Sequence, residues 1–88
     1  MTITLHAARA LRDGGIDAVA ALNAALVDVL ANLPADQHEK AKREVGRAMA
    51  AVLERTVEPA VNAYPELEPD ESTWAEVART KAAMRAGK

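Results

Sequence analysis

His6 and His38 are the only histidines in this chain, and Glu54 and Glu58 stand four residues apart. These are the side chains whose types could do acid–base or metal chemistry. Neither histidine has a second histidine at helical spacing, and His38-Glu39-Lys40-Ala41-Lys42 lacks the closing histidine of a zinc-protease helix. Paired carboxylates on one helical face can bind a cation or divide acid and base roles. A di-iron helical site, however, wants Glu-x-x-His motifs, and there are none. Ser72 is the single serine and sits where a helix cap is wanted. Gly14-Gly15 has no phosphate-loop pattern around it. With no cysteine, disulfides and thiolate metal sites are excluded. These residues point to a protein that is not an enzyme and uses no cofactor and no metal.

The stretch Tyr64-Pro-Glu-Leu-Glu-Pro-Asp-Glu-Ser-Thr-Trp74 holds the only tyrosine and the only tryptophan, with four acids between them. Pro65 and Pro69 disfavour helix in the residues before them. The spacing lacks the glycine turn and terminal bidentate glutamate of an EF-hand loop. The reading is a solvated connector anchored by Leu67 and its two aromatic ends, with an acidic docking surface as the alternative.

Basic residues cluster twice: Lys40, Lys42, Arg43 and Arg47, then Arg79, Lys81, Arg85 and Lys88. Residues 54–71 carry six acids and one arginine, and residues 74–88 four bases and one acid. This asymmetry could steer a basic face onto phosphates. Against it, Glu39 and Glu44 interleave the first cluster, and base-reading Asn, Gln or Ser residues are missing beside it. A net charge of −2 does not predict a nucleic-acid or membrane partner.

The elements that would position these residues are all helical. The 88 residues make one domain, residues 1–88, and 21 of them are alanine, so helices must pack closely over small side chains. The pattern predicts an all-α four-helix domain. The first helix covers about residues 3–12 and ends at Gly14-Gly15, since glycine readily supplies the conformation that closes a helix. A short strand over residues 2–5 is the alternative. The second helix spans about 17–33 and the third about 35–64, kinked near Pro59, where the ring removes a donor and collides with the preceding turn. These two form a long antiparallel pair joined at Leu33-Pro34, flanked by shorter terminal helices. The last helix opens at Thr73-Trp74-Ala75-Glu76, a T-x-x-E capping box, with Ser72 and Asp70 as rival caps.

Val19, Leu22, Leu26, Val29, Leu30 and Leu33 line one face of the second helix, and its other side is mostly alanine. Asn23 is a polar residue beside the large apolar ones, the kind of position that fixes register between helices. Asn23, Ala24, Asp28, Ala31, Tyr64 and Trp74 are therefore the candidate interface. The candidate basic patch is Lys40, Lys42, Arg43, Arg47, Arg79, Lys81 and Arg85. No signal peptide is apparent, and the least charged run, Ala18 to Leu33, is short for a membrane span. The expectation is a cytoplasmic, bacterial or phage interaction module, such as an adaptor, regulator or inhibitor. It would pair with itself as a homodimer and with a further protein. A small nucleic-acid-binding regulator is the alternative.

Overall fold

A computed structural model describes residues 2–87 and shows an all-α chain. Helix α1 spans Leu5–Ala31, α2 His38–Arg55, α3 Val57–Ala63 and α4 Glu71–Ala86. Single 3-10 turns at Ala35–Gln37 and Pro65–Leu67 connect α1 to α2 and α3 to α4. Residues 2–4 form neither strand nor helix. Met1 and Lys88, the latter a member of the second basic cluster, lie outside the described residues.

The first two predicted helices are one continuous helix. Gly14-Gly15 does not stop α1, and no glycine among the described residues has a positive φ. The reason is a close approach. A Cβ on Gly15 would lie 2.0 Å from Thr56 Oγ1 and 2.8 Å from Thr56 Cβ, whereas one on Gly14 would meet nothing within 4 Å. Gly15 thus lets α1 touch the α2–α3 junction, and the packing offsets the helix propensity that glycine forgoes. Thr4 caps α1 by accepting from the Ala7 N–H at 3.1 Å.

The break predicted near Pro59 falls one turn earlier, at Thr56, whose φ and ψ are −127° and −69°. A proline ring collides with the carbonyl four residues before it, which here is Arg55, the last residue of α2. Pro59 itself sits in the first turn of α3, where its missing donor costs little. Thr56 Oγ1 donates to the Val52 carbonyl at 2.6 Å, tying down the end of α2.

The last helix starts earlier than Thr73. Asp70 is its cap, and one carboxylate oxygen accepts from the Thr73 N–H at 2.8 Å, Thr73 Oγ1 at 2.9 Å and Ser72 Oγ at 2.9 Å. An ionised carboxylate outcompetes a threonine hydroxyl for this position because it accepts several donors at once. These donors, the Thr73 backbone N–H first, hold the Asp70 carboxyl below its ordinary value.

The core is small and lies at one end. Ala8, Ile16, Val57, Ala60 and Leu67 are the buried apolar residues. Three ties close this base. Tyr64 donates its hydroxyl to the Ile3 carbonyl at 2.9 Å, Arg12 donates to the Leu67 carbonyl at 3.1 Å, and Arg85 pairs with Asp17. Beyond it α1 and α2 continue as a two-helix hairpin. No residue of α2 is buried, and none of α1 past Ile16.

Candidate functional site

The site is built from α1 upward. Ile16, Ala20, Ala24, Val27 and Ala31 recur at intervals of four, four, three and four residues, so they form one stripe along the helix. The next face round carries Val19, Leu22, Leu26 and Leu30, which pack half-buried against α2. On α2, Val45, Met49 and Val52 are likewise half-buried.

Helix α4 covers only the lower part of the stripe. Trp74, Ala75 and Ala78 of α4, Met49 of α2, and Ile16, Val19, Ala20 and Asn23 of α1 line an open groove of about 400 Å³. Its lining is apolar apart from Asn23 and Glu71. Above the groove, Ala24, Val27 and Ala31 are exposed, with Val27 at 63%. Asp28, also exposed, borders them on the outer side. The hairpin ends in a turn held by His38, whose Nε2 is 3.0 Å from the Leu33 carbonyl.

The candidate interface is therefore gathered in part. Asn23 and Trp74, 51 positions apart in the chain, line the same groove. Ala24, Asp28 and Ala31 lie along or beside its continuation. Tyr64 does not join them, since its hydroxyl is held by the Ile3 carbonyl in the base. Val27 and Met49 were not singled out from the sequence. The signal for Val27 is its spacing: it stands with Ile16 just beyond the large apolar face of the helix, and with Ala24 and Ala31 along it.

The acidic connector is anchored as expected by Leu67, which is 3% exposed and packs with Ala8 and Ala60. Glu54 and Glu58 are no longer on one helix, because the break at Thr56 separates them. Among the described residues no group of three His, Cys, Asp or Glu side chains could hold a metal ion.

The basic residues occupy two helices. Lys42 pairs with Glu39 at 3.6 Å and Arg47 with Glu44 at 3.3 Å on α2, while Arg85 of α4 pairs with Asp17. Lys40, Arg43, Arg79 and Lys81 make no ion pair among the described residues.

Helix α1 is also long and apolar enough to cross a membrane. One 18-residue stretch has a mean hydropathy of 1.6, and 11% of it is buried. No protein-family model, curated protein or solved structure matches the chain.

Proposed function

We propose that this chain is a non-enzymatic interaction module that self-associates, and that its contact surface is the α1 stripe above the groove. The observation that carries this reading is surface in excess of what the chain's size calls for. A folded monomer of 9.3 kDa exposes about 5,000 Å². This chain exposes 6124 Å². The surplus of about 1,100 Å² is comparable to the roughly 800 Å² that each partner contributes to a standard interface. The radius of gyration agrees, at 14.7 Å against about 12 Å for a compact chain of this length.

The exposed apolar surface lies where a further helix is wanted. Two helices alone cannot bury both sides of their shared seam. Two such hairpins together make a four-helix bundle, in which each seam is covered. A twofold contact uses the same patch on both copies, and the alanines at 24 and 31 let a second helix approach closely.

Sedimentation equilibrium tests the proposal. A dimer at tens of micromolar is expected, and Val27→Asp should return it to a monomer of unchanged helix content. A wild-type monomer at that concentration would overturn the reading.

Other partners for the same molecule receive less support. A nucleic-acid reading must reckon with Lys42, Arg47 and Arg85 being already held by carboxylates. A gel shift at low and high salt checks it, and tight salt-sensitive binding would revive it. For a membrane, α1 has the length, but it would place Asp17 and Asp28 against hydrocarbon, and an aspartate at the centre of a span costs about 2.5–3.5 kcal/mol. Flotation with liposomes checks this, and the chain is expected to stay at the bottom of the gradient.

A further inference from the structure

The groove floored by Trp74 and the tip of the α1–α2 hairpin are the two ends of one exposed stripe. Taking self-association through that stripe as given, we infer that the second copy runs antiparallel and seats its hairpin tip in this groove.

The argument is one of spacing. Ala20 lies in the groove, seven residues before Val27, and Pro34 opens the hairpin turn seven residues after it. At a helical rise of 1.5 Å per residue, groove and tip each stand about 10 Å from Val27 along the helix. A twofold axis passing beside Val27 therefore lays the tip of each copy over the groove of the other. The same operation brings Ala31 of one copy against Asn23 and Ala24 of the other, and Val27 against its own counterpart.

A parallel pairing does not do this. It sets tip on tip and groove on groove, and both grooves stay open beside the bundle. The antiparallel arrangement covers the groove and the upper stripe in one interface. The tip suits the groove chemically: Leu33, Pro34 and Ala35 form an apolar turn, and the groove offers Ile16, Ala20, Met49 and Trp74 to receive it. Asn23 is the one amide in the groove wall and is exposed in the single chain. In the antiparallel pair it faces the last turn of the other copy's α1, whose terminal carbonyls lack intrahelical donors. Asn32 already donates to the Asp28 and Val29 carbonyls of that turn, which leaves those of Leu30 and Ala31 for Asn23 to meet, and this contact fixes the register of the two copies.

The absence of cysteine and the single tryptophan make the test direct. Ala35→Cys and Ala75→Cys chains are mixed in equal amounts under mild oxidation, with each variant alone as control. The mixed disulfide should dominate, and Val27→Cys should link to itself. In parallel, Trp74 emission of the wild-type chain is followed across the dimerisation range, and a shift to the blue with lower quencher access is expected. Ala35→Cys linking to itself in preference to Ala75→Cys would overturn the inference. So would a dimer whose Trp74 emission does not change with concentration. In both cases the dimer itself would stand. A chain that is monomeric in sedimentation would remove the underlying reading instead.

Discussion

The base and the hairpin are made of the same residue types, yet only one of them is closed. In the base, α1, α3, α4 and the Pro65–Leu67 turn meet, and five apolar side chains are buried. In the hairpin, Leu22, Leu26 and Leu30 of α1 and Val45 and Val52 of α2 all remain half-exposed. Apolar content does not separate the two regions. The number of elements around each seam does. A helix stripe is buried when neighbours stand on both sides of it, and α4 reaches the α1 stripe only as far as Ala20 and Asn23. Stability should therefore reside in the base and association in the hairpin, and substitutions in the two regions should have separable effects.

The largest effect is expected from Leu67→Ala. Truncating a buried leucine costs about 2–5 kcal/mol, a large share of what so small a domain has. Thermal unfolding followed by circular dichroism should show the midpoint collapse, while a comparable truncation in the hairpin, Val27→Ala, should leave it nearly unchanged in the monomer. Equal losses would abolish the distinction between the regions.

A matched pair comes next. Gly15→Ala forces a methyl into Thr56 and should destabilise by about 1–3 kcal/mol, the usual range for overpacking. Gly14→Ala enters open space and should stabilise by roughly 0.5–1 kcal/mol, since alanine is the better helix former. The opposite signs at adjacent positions, read by urea titration, sharpen the claim that the base depends on one close approach.

Val27→Asp belongs to the other region. Monomer stability should change by less than about 0.5 kcal/mol, as for ordinary surface sites, while the dissociation constant rises more than tenfold. A charge on this stripe that left assembly intact would move the contact surface elsewhere.

The smallest effect concerns the cap of α4. Asp70 is held below its ordinary 3.8 by the donors of Thr73 and Ser72. A depressed carboxyl contributes stability that is present above the unfolded value and lost as the pH falls through the folded one. Protection of the amides in the first turn of α4, taken relative to their intrinsic exchange rates, should fall below about pH 4, and Asp70→Ala should show the weaker protection already at neutral pH.

Much of this architecture is written in local patterns. The helical class, the leucine seam of α1, the hairpin turn at Leu33-Pro34 and the anchoring of the connector by Leu67 follow from periodicity and from proline's geometry. The errors came where a distant contact overrode a local rule. Gly14-Gly15 looks like a helix end until Thr56 is placed beside Gly15. Pro59 marks a break, but its collision falls on Arg55, so the junction appears at Thr56. Thr73 satisfies a capping-box pattern that Asp70 pre-empts through its charge. The candidate site shares this division. Ala24, Asp28 and Ala31 could be chosen from the helix's own spacing, whereas the meeting of Asn23 with Trp74 depends on where α4 crosses α1, which no pattern within either segment encodes. Tyr64 lies apart from the groove, its hydroxyl donated to the Ile3 carbonyl 61 positions away, a pairing that no local pattern encodes.

The ties that close the base join residues far apart in the chain: Tyr64 to Ile3 over 61 positions, Arg12 to Leu67 over 55 and Arg85 to Asp17 over 68. The α1–α2 hairpin needs only neighbours in sequence. Contacts between near residues form fast, and those that close long loops form late. On the ribosome, which releases the chain from its N-terminus, the hairpin is complete before Leu67 and α4 have emerged. The half of the molecule proposed to self-associate therefore emerges before the half that closes the base. Hairpin first and base last is thus the order of folding that this topology favours.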